Sequence, residues 1–240
     1  MQPIYATMKQ TMKNYTKEDH KIWQLLATTQ MNNIPDKAAT TYLNCLQQMK
    51  TVLNRQEIPE FKKITHWFKN YTGWSIKTVP GLIPPEDFFS LLAEKKFCSS
   101  TWLRNANQLD YLEEPDMFHD IFGHIPLLAN PVFSAYLSKF GKIGVKNLAH
   151  KKKLIQLQRL YWFTIEFGVI QENEILKPYG AGILSSIEET NRIHRQEGVF
   201  HPFNIQKIIN TDFHTDRLQE EYFVISSFKE LFNSLSVFEY

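Results

Sequence analysis

The sequence predicts a mainly α-helical fold with small β elements, an α+β class, built as one domain over residues 1–240. Three observations carry that expectation. Helix-start chemistry recurs, with Thr16 followed three residues later by Asp19 and prolines at 35, 59 and 115 placed where first turns would begin. Apolar residues keep spacings of three and four through long stretches, whereas strict alternation is confined to short runs. No repeat, low-complexity tract or Gly/Ser linker marks a boundary, and residues 1–14 read as a loose tail.

The elements follow in order. Thr16 and Asp19 form a capping box that opens a helix through about Gln30. Pro35 suits a first helical position, and Leu43, Leu46, Met49, Val52 and Leu53 then keep helical spacing. Pro59 begins a third helix through Phe61, Ile64, Trp67 and Phe68, which Gly73 can end. Trp74 to Val79 alternates and predicts a short strand. Pro80-Gly81 and Pro84-Pro85 enclose a loop before a helix from Glu86 to Lys95. Further helices are expected near 115–123, 131–148, 151–171, 185–196 and 225–236, with short strands near 174–178 and 221–225.

Composition excludes several function classes. The 27 basic and 25 acidic residues leave a net charge of +2, too balanced for a dedicated nucleic-acid surface. The one basic run, His150-Lys151-Lys152-Lys153, opens an amphipathic helix and reads as a solvated face. Two cysteines, Cys45 and Cys98, make no disulfide framework and read as reduced thiols. Met1 to Gln10 lacks the apolar core of a signal peptide, and no stretch approaches the ~20 apolar residues of a membrane span. A cytoplasmic protein with no membrane partner is the expectation. The 18 Phe, 10 Tyr and 5 Trp suit a pocket for a flat ligand, but equally an aromatic core.

Chemistry concentrates in two segments. In Glu113-Glu114-Pro115-Asp116-Met117-Phe118-His119-Asp120-Ile121-Phe122-Gly123-His124-Ile125-Pro126, Pro115 can begin a helix whose first turn is acidic, as the helix dipole favours. His119 and His124 stand about 140° apart on an ideal α-helix, so they would not share a face. Gly123 and Pro126 would end the helix there and let His124 turn toward whatever His119 faces; both histidines could also be satisfied core residues. The second segment is Arg159-Leu160-Tyr161-Trp162-Phe163-Thr164-Ile165-Glu166-Phe167-Gly168-Val169-Ile170. Glu166 has only Trp162, Phe163, Val169 and Ile170 at helical contact spacing, and none can pair with it. A buried carboxylate needs a compensating charge, from a distant Arg or Lys or from a divalent cation. Two imidazoles and one carboxylate make the facial triad of non-haem iron(II), with a hydrolytic zinc site as the competing chemistry.

These segments, with Tyr179-Gly180-Ala181-Gly182-Ile183-Leu184-Ser185-Ser186 and the opening Tyr15-Thr16-x-Glu18-Asp19-His20-x-x-Trp23, resemble the pterin-dependent aromatic amino acid hydroxylases over roughly residues 15 to 235. The bacterial, phenylalanine-hydroxylating members are the nearest. The resemblance implies that family's catalytic-domain fold and its reaction: L-phenylalanine, dioxygen and a tetrahydropterin give L-tyrosine and a hydroxylated pterin. It implies iron(II) on His119, His124 and Glu166. For substrate it implies Arg104, twelve residues before Asp116, on the carboxylate, Ser185 in the site, and Pro115, Trp162 and Phe167 as walls. For the pterin it implies the loop Gly81-Leu82-Ile83, the stacking ring of Phe88, Tyr161 near the same ring, and Asp120 where animal enzymes carry Glu.

Departures from the animal pattern also bear on expectation. Pro85 and Leu112 replace Ser and Thr, which removes two hydroxyl contacts. No regulatory domain precedes the catalytic part and no heptad helix follows it, so a monomer is expected. Trp162 matches phenylalanine-specific members better than tyrosine or tryptophan ones. Tryptophan hydroxylation, a zinc hydrolase with Asp120 as general acid or base, and a non-catalytic helical module stand as the alternatives.

Overall fold

The computed structural model describes residues 7–105, 114–215 and 217–239. Met1 to Ala6 of the expected tail, and Leu112 and Glu113 of the motif region, lie outside the described residues. In the described part of that stretch, the Gln10 side chain donates to Pro59 O at 3.0 Å and accepts from Phe61 N at 2.9 Å.

The first helix, α1 (Lys17–Asn33), starts at the expected capping box, in which Thr16 and Asp19 satisfy each other's backbone N–H groups. It buries Ile22, Trp23, Leu26, Ala27 and Gln30 along one face. The next helix, α2 (Thr40–Gln48), begins five residues later than Pro35 implied. Ala39 N–H donates to Pro178 O, and the Thr40 backbone and hydroxyl bond Glu172, so tertiary contacts fix the start. Helix α3 (Phe61–Phe68) ends before Gly73, whose φ of 79° and N–H bond to Phe68 O close the turn.

Strand β1 (Ser75–Thr78), helix α4 (Pro85–Ala93) and strand β2 (Lys96–Ser99) form a βαβ unit with parallel strands, in register Ser75↔Lys96. The sequence reading missed β2. Helix α5 (Pro131–Lys146) is capped by Asn130, whose side chain accepts from Val132 N and Phe133 N, and it buries Phe133, Tyr136, Leu137 and Phe140.

The expected helix over 151–171 is instead three elements: α6 (Lys151–Tyr161), a π-helical turn (Trp162–Glu166) and strand β3 (Val169–Glu172). β-branched Val169 and Ile170 pair better in a sheet than in a helix, here with Val224 and Ile225. Strand β4 (Ile175–Pro178) pairs antiparallel with β3. Helices α7 (Ala181–Leu184) and α8 (Ile187–His194) lead to β5 (Val199–Pro202), α9 (Ile205–Ile208), β6 (Glu221–Ile225) and α10 (Phe228–Ser234). The second sheet runs β4-β3-β6-β5. Strand β5 and helices α7 and α9 were not foreseen.

One large cluster of buried residues spans helices and both sheets, with Trp23, Trp74, Tyr42, Phe118, Phe122, Phe140 and Phe163 among its fully buried rings. No helix among the described residues is long and apolar enough to cross a membrane.

Candidate metal centre

Two π-helical turns build the site. The chain from Met117 enters as α-helix and widens into a π turn over His119–His124. In a π turn the hydrogen bond runs between residues five apart, which stacks them on one face. His119 and His124 therefore face together, with ring centroids 4.9 Å apart. The α-helical angle wrongly separated them; the local winding, not a helix end, reunites them. Tyr42 Oη donates to Phe122 O at 2.6 Å, and Gly123 lies flat against α7, where a Cβ would stand 2.8 Å from Ala181 O. Both contacts hold the widened turn in place. The second turn shows the same signature: Phe167 N–H reaches back to Trp162 O at 2.8 Å. Glu166 ends that turn, and Trp162 and Phe167, five apart, bring their rings to 4.6 Å.

Glu166 meets both histidines, with Oε2 3.4 Å from His119 Nε2 and Oε1 3.2 Å from His124 Nε2. The two Nε2 atoms are 3.2 Å apart. Ser185 Oγ lies 2.8 Å from Ala181 O and 2.9 Å from His119 Nδ1. With its proton on Ala181 O, the hydroxyl would accept from Nδ1–H, the tautomer that leaves His119 Nε2 free to bind a metal.

Burial pushes the Glu166 carboxyl up, but the two imidazoles outweigh it and hold it well below the usual carboxylate range. Burial disfavours the charged form of His119, and Glu166 beside it raises the pKa overall; for His124 burial wins and lowers it. Two buried lone pairs and a carboxylate, with one donor atom each within 4.8 Å of the others, form an electron-rich focus that a divalent cation satisfies. The residues fit a metal of the N/O-ligand type.

Around this focus, Phe97 packs on the His124 ring at 4.8 Å, and Tyr161 lies at 6.3 Å. Burial and the neighbouring Glu166 drive the Tyr161 phenol well above its ordinary value. Asp120 Oδ2 accepts from Ser100 N at 2.9 Å, and burial pushes its carboxyl up to about 7.

Residues 6–240 match the family described as biopterin-dependent aromatic amino acid hydroxylases. The chain belongs to that family. The phenylalanine-4-hydroxylase of Chromobacterium violaceum is 42% identical over 237 residues, which cover 95% of this chain and 76% of that protein. The crystal structure of that bacterium's enzyme with iron(III) and oxidised 7,8-dihydrobiopterin matches with a TM-score of 0.91 at 41% identity, over 98% of this chain and 85% of that one. Its iron- and phenylalanine-bound structure matches with a TM-score of 0.89 at 39% identity, over 97% and 85% of the two chains.

Within this hydroxylase, the other residues singled out by sequence fall into two groups. Trp162, Phe167 and Ser185 surround the π turns, and Phe88 stands edge-on to Tyr161 at 5.2 Å. Gly81 lies close to Glu114, whose Oε2 would be 3.7 Å from a Cβ there, in a loop with half-buried Ile83, and Pro115 sits half-buried before the first turn. Arg104 is placed differently from a simple clamp. Its Nε and Nη2 each donate to Asp116 at 2.9 Å, an edge-on pair in which the side chains are 6% and 0% exposed. A carboxylate bound at Arg104 shares the guanidinium with Asp116. The sequence reading missed Asp116 as that partner, although an acid just ahead of His119 at a helix start was the available signal. It also missed Phe97, which packs on His124, and Phe213 and Gln219, which contact Trp162; local sequence carries no signal for them because they lie in parts of the chain far from the two motifs' own turns.

Proposed function

We propose that this hydroxylase converts L-phenylalanine to L-tyrosine, with dioxygen and a tetrahydropterin, at a non-haem iron(II) held by His119, His124 and Glu166. The observation that carries the reading is the convergence of His119 Nε2, His124 Nε2 and Glu166 within hydrogen-bond range, with Ser185 Oγ 2.9 Å from Nδ1 at the other side of the His119 ring. The groups bound in the C. violaceum structures, iron, dihydrobiopterin and phenylalanine, support it.

Two neutral imidazoles and one carboxylate leave a divalent ion one net positive charge and open positions on the opposite side. Iron(II) there, with the reduced pterin as the second electron source, supplies the activation of dioxygen. The protein's own part is placement. Arg104, held by Asp116, receives the amino acid carboxylate; Trp162, Phe167 and Pro115 wall the aromatic side chain. Ser185 keeps His119 oriented. Phe88 and Tyr161, with the loop at Gly81 and Ile83, offer the pterin an aromatic face and backbone contacts, and Asp120, next to His119 in the chain, adds an acidic group. Apolar walls exclude water from the reacting ring.

We also propose a monomer of one catalytic domain working in the cytoplasm, a compartment that suits the free thiols Cys45 and Cys98. No observation favours the zinc hydrolase, whereas the iron- and dihydrobiopterin-bound relative supports the iron reading.

The test is tyrosine formation by metal-stripped protein given iron(II), air and reduced pterin singly and together. Product only with all of them is the expected result. Folded, iron-loaded protein that makes no tyrosine refutes the substrate assignment, and tryptophan is then the next substrate to try.

A further inference from the structure

Trp162 presents its ring at the site while its indole N–H must find an acceptor. That acceptor is Gln219 Oε1, at 2.9 Å, from the segment just before β6. The ring itself is stacked on Phe213 at 4.6 Å and 16°, and meets Phe167 at 4.6 Å and 36°. Two rings set the indole's tilt, and a single hydrogen bond sets its rotation in plane.

Gln219 is built to hold one orientation. It is 7% exposed, and every polar atom it owns has a partner. Its Nε2 donates to Glu221 O at 2.7 Å, which fixes the amide so that Oε1 faces the indole. Its backbone N donates to the buried Glu189 carboxylate at 3.1 Å, and its carbonyl accepts from Tyr222 Oη at 2.9 Å and Arg192 Nη2 at 3.4 Å. Glu189 Oε2 in turn lies 3.0 Å from Tyr222 Oη. A glutamine whose side chain and backbone are both pinned transmits a fixed direction to the group it accepts from.

We infer that Gln219 is a positioning residue that sets the orientation of the Trp162 indole, and through it which aromatic ring the substrate pocket accepts. The inference rests on the reading of Trp162 as a wall of that pocket. Without the acceptor, the indole N–H turns toward water, and the ring edge moves into the space a bound phenyl group would fill.

The test is Gln219→Met, which keeps length and removes the amide's acceptor and donor, examined with Trp162→Phe and the double variant. The protein has five tryptophans, so indole N–H resonances report Trp162 individually once Trp162→Phe assigns it. The expected result is an upfield move of that resonance and about a fivefold fall in kcat/KM for phenylalanine relative to tryptophan, carried by KM and with iron content unchanged. In the Trp162→Phe background, Gln219→Met should change the preference no further. An unmoved resonance with an unchanged preference overturns the inference, as does a full Gln219→Met effect in the absence of Trp162. If Gln219→Met fails to fold, the wild-type Trp162 indole N–H should resonate downfield, as a hydrogen-bonded donor, and exchange slowly with solvent; the position and exchange rate of a free indole overturn the assignment. Should wild-type protein hydroxylate neither amino acid, the substrate reading fails, and the resonance alone still decides whether Gln219 positions Trp162.

Discussion

Replacing Asp116 by Asn isolates the charge that holds Arg104 beside the site. Asp116 accepts four hydrogen bonds: Arg104 N, Nε and Nη2, and His119 N. Asn preserves the shape and the capping of His119 N, since Asn and Asp cap helices about equally. What it removes is the negative charge, and it turns an amide N–H₂ toward guanidinium donors. Removing one partner of a buried ion pair typically costs about 3–5 kcal/mol, because the other charge is left uncompensated. For a chain of this size each kcal/mol is roughly 2–4 °C in Tm, so Asp116→Asn should melt about 6–20 °C below wild type.

The pH dependence supplies an independent check. Burial raises the Asp116 carboxyl, but Arg104 outweighs it and leaves the folded pKa below the ordinary value. A depressed folded pKa means the stabilisation is complete above the unfolded pKa, near 3.9, and is lost as pH falls through the folded value. The wild-type advantage over Asp116→Asn, measured by urea unfolding, should be constant from about pH 5 to 8 and shrink below about pH 4. A variant melting within a degree or two of wild type, or a difference that persists undiminished into acid, would refute the reasoning.

Ser185→Ala removes the acceptor of His119 Nδ1–H, and loss of such an orienting partner typically weakens metal binding about 10–100-fold; a metal titration with unchanged affinity would show that Ser185 does not orient the ligand. Gly123→Ala places a methyl 2.8 Å from Ala181 O and 2.9 Å from Ala181 Cβ, an overpacking expected to cost about 1–3 kcal/mol and to separate the two turns. Denaturant unfolding with no loss of stability would contradict that packing. Burial pushes the Cys45 thiol up to about 11, and burial together with the nearby Asp120 pushes Cys98 higher still. Neither should react with a thiol reagent at pH 8 in folded protein, and stoichiometric labelling within minutes would count against their placement.

The helical framework was legible because its signals are local. Thr16 and Asp19 cap α1 as their spacing implies, and Asn130-Pro131 opens α5 with a cap and a first-turn proline. The strands β2 and β5 were not legible, since four-residue strands such as Lys96–Ser99 owe their existence to a parallel partner distant in sequence. The candidate ligands could be named from Glu166's lack of any local partner, but their geometry could not. Periodicity assumes the α-helical repeat, and π turns violate it at the residues concerned. Among the described residues Glu166 forms no ion pair with an Arg or Lys; its ionisable partners are the two histidines.

The motif from Tyr179 to Ser186 contains none of the three candidate ligands, yet it explains how two separate π turns can share one centre. Ala181 sits against Gly123 of the first turn, and Ser185 holds His119 of that same turn. On its other side, Tyr179 N and Gly180 N both donate to Gly168 O, two residues beyond Glu166. The segment is thus bonded to one turn and to the exit of the other. It is fixed from behind by Gln30 of α1, whose buried Nε2 donates to Leu184 O at 2.7 Å and to Thr190 Oγ1 at 2.9 Å. A π turn is an uncommon winding that persists where tertiary contacts over-determine it. Here one short segment over-determines both turns at once, so the distance between His119 and Glu166 is a property of the packing of α7 as much as of either ligand.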